Sequence, residues 1–223
     1  MRDIMNENNV SAENQLPRHE SAFYMGEVNA RKRLLIVGNS ITLHFPKADI
    51  GWYGKWGMAA SAQDKDYVHL LQKKLDDSGK DVLTMVRQIA TWERGFAEDG
   101  ALNDYSIEHE FGADVVIFRA GENVPKESDM ALFEDRLRDF ISHIAPKKVI
   151  FTSTVWESEL KNTPIRNIAA ERGEPFIDLT EIGRHDEYMA IGLFEHKGVA
   201  IHPGDKGMEY IADRIFEVLK DII

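Results

Sequence analysis

Five short apolar runs, separated by longer stretches with helical periodicity, constrain the fold more than any other feature of this sequence. The runs are rich in β-branched and aromatic side chains, which is typical of strands buried on both faces. They occupy residues 34–37, 82–86, 115–118, 149–152 and 176–179. This pattern predicts five parallel strands, because strands that alternate with helices are joined by crossover connections.

Three of the stretches between and after these runs carry apolar residues at helical spacing. Their apolar stripes consist of Tyr67, Leu70, Leu71 and Leu75, then Met130, Phe133, Leu137, Phe140, Ile141 and Ile144, and finally Met208, Ile211, Ile215, Val218, Leu219 and Ile222. Ser78-Gly79 predicts the end of the first helix, and Asp205 is a candidate N-cap for the last. The sequence therefore predicts an α/β fold with helices on both faces of the sheet.

Length and composition indicate one folded domain. The chain has 223 residues, of which 43% are hydrophobic, enough for one sizeable core. Residues 1–30 mix Asn, Glu, Arg and Ser without apolar periodicity, so we predict a flexible N-terminal extension there. The folded domain is predicted over residues 31–223.

Charge and cysteine content narrow the function classes. The net charge of −11 disfavours nucleic-acid binding, which relies on clustered cations. The sequence contains no cysteine, which excludes disulfides, thiolate catalysis and Cys-ligated zinc. The N-terminal segment lacks the apolar stretch of a secretory signal, and no run approaches the roughly 20 apolar residues of a membrane span. These features predict a cytoplasmic protein with no membrane partner.

The carboxyl ends of the predicted strands are where chemistry is expected, because ligands of open α/β sheets bind beyond those ends. Ser40 follows the first strand through a tight Gly38-Asn39 turn, which would present its hydroxyl at the rim of the sheet. A serine becomes a nucleophile when a neighbouring base takes its proton. The alternative is a strand-to-helix turn with a capping serine.

Two further polar residues belong to the same predicted edge. Asn123 follows the third strand, and its side-chain amide is a candidate oxyanion donor, although Asn in such a position is often a turn residue. His202 lies on the loop before the last helix, where it can reach the crevice next to Ser40. A loop histidine that is only solvated is the alternative.

Together, Gly-Asn-Ser at 38–40, Gly-Glu-Asn at 121–123 and His-Pro at 202–203 resemble the blocks of the SGNH hydrolases, also called GDSL-like lipases and esterases. The resemblance covers the chain from about Arg33 to its last residue. It implies a flavodoxin-like three-layer α/β/α fold with a five-stranded parallel sheet in the order 2-1-3-4-5. It also implies hydrolysis of an acyl ester without metal or cofactor, with Ser40 as nucleophile and first oxyanion N–H, Asn123 as oxyanion donor and His202 as general base.

One departure from the family's pattern concerns the partner of the histidine. An Asp commonly lies three residues before the His and orients the imidazole, but here that position is Val199. Three alternatives remain for the group that orients His202: the Val199 carbonyl, the Glu195 carboxylate, or no orienting group, with Ser40 and His202 acting as a dyad.

A second departure concerns the glycine block after the second strand, whose backbone N–H is an oxyanion donor in the family. The corresponding stretch, residues 90–95, has no glycine at the aligned position. A backbone N–H does not require glycine, so Glu93 or a neighbouring residue remains the candidate. Side chains as large as Trp92 and Glu93 would reshape the pocket there.

Aromatic and charged residues near the strand ends complete the predicted site. The candidate pocket residues are Asn39, Trp52, Trp56, Trp92 and Trp156, and the candidate charged residues are Glu93, Arg94 and Arg119. Aromatic faces commonly stack on ligands, but the same rings could instead fill the core. The charged residues could equally form structural ion pairs.

These residues support a leading hypothesis and two alternatives. The leading one is hydrolysis of a small acyl ester, with acetyl on a carbohydrate as the candidate substrate. A catalytically inactive scaffold that binds a carbohydrate or a protein is the second. A metal site of His196, His202, Asp205 and Asp178 is the third, although their spacing fits no ligand motif. No Gly-rich phosphate loop follows the first strand, and a homo-oligomer is left open.

Overall fold

A six-stranded mixed sheet forms the centre of the protein in the computed structural model, which describes residues 21–223. The strands are β1 (Ala22–Met25), β2 (Lys32–Gly38), β3 (Val82–Gln88), β4 (Val115–Arg119), β5 (Lys148–Thr152) and β6 (Phe176–Ile177). They lie in the order β1-β3-β2-β4-β5-β6. Strands β2 to β6 are parallel, and β1 pairs antiparallel with β3.

Eight α-helices connect and cover the strands of the described chain. They are α1 (Tyr67–Asp77), α2 (Ala90–Gly95), α3 (Ser106–Phe111), α4 (Met130–Ile144), α5 (Glu159–Arg172), α6 (Glu181–Arg184), α7 (Lys197–Ala200) and α8 (Asp205–Leu219). Short 3₁₀ turns lie at Ala48–Ile50, Gln63–Lys65, Asn103–Tyr105 and Asp186–Tyr188. None of the helices in this part of the chain is long and apolar enough to cross a membrane.

Alternate residues of each parallel strand fill a separate core on each face of the sheet. In β2, Leu35 and Val37 face the core formed with α4 and α5, whereas Leu34 and Ile36 face the core formed with α1 and α8. This alternation follows from the two-residue period of a strand. The continuous apolar runs are therefore explained by helices on both sides, and the three-layer α/β/α arrangement is confirmed.

The predicted five-stranded, wholly parallel sheet is wrong in strand count and order, because β1 adds an antiparallel strand at one edge. The run Ala22–Met25 is apolar but only four residues long, and it lies within the mainly polar segment that was predicted to be an extension. Residues 22–25 of the predicted flexible extension therefore belong to the sheet. The remainder of that predicted segment up to residue 20 lies outside the described residues.

Each of the three predicted helical stripes lies in a helix, except that Ile222 follows the end of α8 at Leu219. The start of α8 also differs from the prediction. Gly204, not Asp205, is the N-cap residue of α8. The Asp205 carboxylate instead accepts hydrogen bonds from the N–H and hydroxyl of Ser61, at 2.8 and 2.6 Å. This contact ties the loop after β2 to the start of α8, beside the histidine loop.

Candidate active site

The turn after β2 places Ser40 at the carboxyl edge of the sheet. A Cβ atom at Gly38 would lie 1.9 Å from Thr42 Oγ1 and 2.8 Å from the Arg119 carbonyl oxygen, so no larger residue fits there. The Asn39 carbonyl accepts the N–H groups of Thr42 and Leu43, at 2.9 and 3.0 Å, which closes the turn. Ser40 itself is half-buried, with its side chain at the rim.

Ser40 and His202 form a hydrogen-bonded pair. Ser40 Oγ lies 2.8 Å from His202 Nε2, and His202 Nδ1 lies 2.7 Å from the Gly198 carbonyl oxygen. A carbonyl only accepts hydrogen bonds, so the proton of the neutral ring lies on Nδ1 and the lone pair of Nε2 faces the hydroxyl. This is the arrangement that a general base needs to take the proton of a serine.

The orienting group for His202 is a main-chain carbonyl, but not the predicted one. The Val199 carbonyl accepts the backbone N–H of His202 at 2.9 Å, and the Val199 side chain packs in an apolar cluster with Trp52. Glu195 is exposed, and within residues 21–223 it makes no hydrogen bond to the imidazole. The short helix α7 brings the carbonyl of Gly198, four residues before His202, against Nδ1.

Burial makes His202 a weak base. The pKa of His202 is lowered from 6.5 to about 4, mainly by burial and to a smaller extent by the charges of His44 and Arg119, while the Gly198 carbonyl and Glu122 act in the opposite direction. The indole of Trp156 lies edge-on to the imidazole, with 5.6 Å between the ring centroids. The imidazole is therefore neutral at neutral pH and able to accept a proton.

A buried polar cluster supports the nucleophile turn from below. Arg119, fully buried at the end of β4, donates to both carboxylate oxygens of Glu122, at 3.0 and 2.9 Å. It also donates to Asn39 Oδ1 at 2.7 Å. Asn39 Nδ2 in turn donates to Glu122 at 2.5 Å and to Glu93 at 3.1 Å. Asn39 is thus a fully buried structural residue, and the prediction that it lines the substrate pocket is wrong.

Glu93 joins this cluster to Asn123. Its carboxylate, fully buried on α2, accepts the Gly121 N–H at 2.6 Å and the side-chain N–H of Asn123 at 2.7 Å. Asn123 Oδ1 accepts from Arg94 at 3.0 Å. An amide nitrogen carries two hydrogens, so the half-buried Asn123 retains one N–H for a ligand after bonding Glu93.

The two buried carboxylates have opposite pKa shifts. Burial, together with the nearby Glu122, raises the pKa of Glu93 above its ordinary value, although N–H donors oppose this. Burial also acts to raise the pKa of Glu122, but Arg119 and the donors around it bring that pKa below its ordinary value. Glu122 is therefore the ionised partner of Arg119. Sequence reasoning missed this role, although the acidic residue between Gly121 and Asn123 was a visible signal.

The backbone of α2 excludes one predicted oxyanion donor. The N–H of Glu93 donates to the Ile89 carbonyl at 3.0 Å, so it is not available to a substrate. The neighbouring Ala90 N–H donates to Gln88 Oε1 at 3.0 Å. Of the residues at the start of α2, Thr91 and Trp92 therefore remain the candidates for a backbone N–H that donates to the oxyanion.

The candidate pocket aromatics separate into buried and accessible rings. Trp92 is buried in the core, where it packs among phenylalanines, and Trp52 is buried beneath the loop that follows β2. Both predictions of pocket residues are wrong for the same reason, since a tryptophan after a strand also suits a core. Trp56 is half-buried and donates to the Ala60 carbonyl at 2.9 Å. Trp156, beside His202, remains the aromatic pocket candidate.

The acidic residues of the metal hypothesis have other partners. Asp178 accepts from the N–H and hydroxyl of Thr180, at 2.9 and 2.7 Å. Asp205 binds Ser61 at the start of α8. In the described chain, no group of three or more His, Asp or Glu residues is arranged to hold a metal ion.

This chain shares its fold with solved lipase and esterase structures, among them one described as a GDSL-like lipase from Bacteroides ovatus. Solved structures with this fold include the lipase/acylhydrolase from Enterococcus faecalis, which is 17% identical with a TM-score of 0.60. That match covers 85% of this chain and 96% of the other. No family model and no curated protein sequence matches the chain.

Two further structures extend the comparison. One is the psychrotrophic esterase EstA from Pseudoalteromonas sp., solved in a form inhibited by monoethylphosphonate. It is 15% identical to this chain with a TM-score of 0.54, and the match covers 85% of this chain and 97% of EstA. A family two carbohydrate esterase from Cellvibrio japonicus is 15% identical with a TM-score of 0.54. The match spans 88% of this chain but 62% of the carbohydrate esterase. Identities this low establish the shared fold.

Proposed function

We propose that this protein is a serine hydrolase that cleaves small acyl esters through an acyl-enzyme intermediate. The observation that carries the proposal is the 2.8 Å hydrogen bond between Ser40 Oγ and His202 Nε2, with the opposite ring nitrogen held by Gly198. A capping serine or a solvated histidine would not require this paired geometry at the carboxyl edge of the sheet.

In the first half of the reaction, His202 Nε2 takes the hydroxyl proton as Ser40 Oγ bonds to the ester carbonyl carbon. The carbonyl oxygen becomes an oxyanion, which the remaining N–H of the Asn123 amide and the backbone N–H of Ser40 stabilise. The intermediate then collapses, the bond to the alcohol oxygen breaks, and His202 returns the proton to that oxygen. The alcohol leaves, and the acyl group remains on Ser40.

In the second half, a water molecule takes the place of the alcohol. His202 accepts one proton of the water as its oxygen attacks the acyl carbon, and the bond to Ser40 Oγ then breaks. The carboxylic acid departs, and Ser40 regains its proton from the imidazolium. Gly198 orients this imidazolium through a neutral carbonyl, and within residues 21–223 no carboxylate forms an ion pair with it.

For the substrate, we propose a short acyl group such as acetyl, carried by a carbohydrate. The similarity to carbohydrate esterase structures supports this choice. So does the ring of Trp156 beside His202, because aromatic rings commonly stack on sugars. The polar side chains of Arg94 and Asn123, which are hydrogen-bonded to each other at 3.0 Å, suit a hydroxylated alcohol.

The test is hydrolysis of p-nitrophenyl acetate by the wild-type protein and Ser40→Ala. The variant should lose about 10³-fold or more of kcat/KM, because the nucleophile is gone. Ser106→Ala, an exposed serine at the start of α3, is the matched control and should retain activity. Undiminished hydrolysis by Ser40→Ala would exclude this proposal.

A fluorophosphonate probe separates an enzyme from an inactive scaffold that binds a carbohydrate or a protein. An activated serine forms a covalent bond to phosphorus, and the inhibition of EstA by monoethylphosphonate is the precedent for such a reagent. The label should attach to Ser40 and be absent from Ser40→Ala. Failure of the wild-type protein to react would favour the binding scaffold.

A further inference from the structure

Glu93 occupies a position where three segments of the chain meet. One carboxylate oxygen, Oε1, accepts from Asn39 Nδ2 at 3.1 Å and from the N–H groups of Gly121 and Asn123 at 2.6 and 3.3 Å. The other, Oε2, accepts from Asn123 Nδ2 at 2.7 Å. The side chain is fully buried, so these bonds do not compete with water. Glu93 therefore connects the nucleophile turn to the predicted oxyanion donor.

The next residue, Arg94, binds the other end of the same amide. Its guanidinium donates to Asn123 Oδ1 at 3.0 Å. A carboxylate can only accept and a guanidinium can only donate, so the two residues distinguish the oxygen of the amide from its nitrogen. Rotating the Asn123 amide by a half-turn would place its oxygen against the Glu93 carboxylate and its NH2 group against Arg94. Both contacts would then be repulsive.

We propose that Glu93, assisted by Arg94, is the positioning residue that fixes the Asn123 amide with one N–H directed at the oxyanion. The inference rests on the proposed esterase function, and it assigns to Glu93 a role exerted through Asn123. The bond from Asn123 to Glu93 is buried away from water, so it holds the amide more firmly than an exposed acceptor would. The oxyanion donor is thus oriented before the substrate binds.

Glu93→Gln is the decisive substitution. Three N–H donors converge on Oε1, so the single amide oxygen of the glutamine must take that position. Its NH2 group then faces Asn123 Nδ2, and the Asn123 amide must turn over. The expected result is a decrease in kcat of about 10²-fold to 10³-fold, the usual effect of losing one oxyanion donor. KM for p-nitrophenyl acetate should change less than about threefold.

A double-mutant cycle shows whether Glu93 acts through Asn123. Asn123→Ala should lower kcat by a similar factor, and the double variant Glu93→Gln/Asn123→Ala should be no worse than Asn123→Ala alone. Losses that multiply would overturn the inference, because they would show independent effects. Glu108→Gln is the matched control: Glu108 is a buried glutamate on α3 paired with Arg87 at 3.1 Å. Its effect should be small and independent of Asn123.

If Glu93→Gln does not fold, Arg94→Met provides a second test of the same inference. Arg94 is exposed, so replacing it should not prevent folding. Methionine cannot donate to Asn123 Oδ1, so kcat should fall about tenfold, and this loss should vanish in the Asn123→Ala background. A persistent loss there would count against the inference.

Amide NMR gives a readout that a general loss of stability would not move. The side-chain NH2 signals of Asn123, identified by their absence from Asn123→Ala, should shift in Glu93→Gln and stay in place in Glu108→Gln. Normal kcat in Glu93→Gln with an inactive Ser40→Ala would overturn the positioning role alone. Activity in Ser40→Ala would instead overturn the proposed function.

Discussion

His202 Nδ1 lies 2.7 Å from the carbonyl oxygen of Gly198, so the main chain orients the candidate base. A carbonyl fixes the tautomer as an aspartate would, but it carries no net charge to stabilise an imidazolium. The aspartate expected from the family's pattern is replaced by Val199, whose side chain points into the apolar cluster with Trp52 and Met58. In this site a main-chain carbonyl therefore supplies the orientation without the negative charge that an aspartate would add.

The first prediction is that Val199→Asp will not improve the enzyme. The new carboxylate would be buried beside apolar side chains, and Gly198 already occupies the hydrogen of His202 Nδ1. We expect the free energy of unfolding to fall by about 3–5 kcal/mol, the cost of an unpaired buried charge, and kcat/KM not to rise. Val199→Thr, of the same shape without the charge, is the control. Chemical denaturation and p-nitrophenyl acetate hydrolysis measure both effects; a rise in kcat/KM at normal stability would contradict the prediction.

The second prediction concerns the acid limb of the activity profile. Burial lowers the pKa of His202 to about 4, so the unprotonated base persists well below neutral pH. The value of kcat/KM should be nearly constant above about pH 6 and fall to half near pH 4. Initial rates measured between pH 3 and 8 test this expectation. An inflection near 6.5 would show that the imidazole titrates normally.

The third prediction is the effect of the same group on stability. Below pH 6.5 the unfolded chain binds a proton at His202 that the folded protein does not bind until about pH 4. The contribution of this group to the free energy of unfolding is therefore complete above pH 6.5 and is lost as the pH falls from 6.5 towards 4. Urea denaturation of the wild-type protein and His202→Gln over this range should show a shallower decline for the variant. Parallel curves would be inconsistent with a lowered pKa.

The fourth prediction is that Asn39→Asp will be poorly tolerated, although the two residues have nearly the same shape. The Asn39 NH2 group lies against two carboxylates, Glu122 at 2.5 Å and Glu93 at 3.1 Å. An aspartate would place a third carboxylate there, with Arg119 as the one buried guanidinium in contact. We expect a loss of about 3–5 kcal/mol in the free energy of unfolding at neutral pH.

Asn162→Asp is the matched control for that substitution. Asn162 is also buried, but its side-chain oxygen accepts from the N–H and hydroxyl of Thr154, at 2.9 and 3.1 Å. A carboxylate can accept these same hydrogen bonds, so the loss of stability should be smaller. Equal losses in the two variants, measured by chemical denaturation, would mean that Glu93 and Glu122 are not the cause.

The sequence identifies the parts of the fold that depend on continuous apolar runs. Strands β2 to β5 lie where those runs were found, because a strand that is buried on both faces needs apolar residues at successive positions. Strand β1 was missed because its four apolar residues lie within the mainly polar segment that was predicted to be an extension. Helix α5 was missed as well, and Pro164 inside it is a residue that normally breaks helices.

The candidate site shows a similar division between side chains and backbone. Ser40 was identified from the turn that follows the first strand and His202 from its place before the last helix, and the structure brings them together. The Gly198 carbonyl has no counterpart in the sequence, since every residue carries a carbonyl and only the path of α7 selects this one. The bond from Asn123 to Glu93 likewise depends on how two loops meet. Trp52 and Trp92 misled the prediction because an aromatic ring suits a core as well as a pocket.

Ser40 and His202 are separated by 162 positions in the sequence but lie within one hydrogen bond. Closing so long a segment of chain is entropically expensive and slow compared with forming any single helix. We therefore expect the pair to assemble after the sheet has formed and α8 has docked against it. During refolding, recovery of ester hydrolysis should consequently lag behind recovery of helical circular dichroism, which makes turnover a late reporter of the native state.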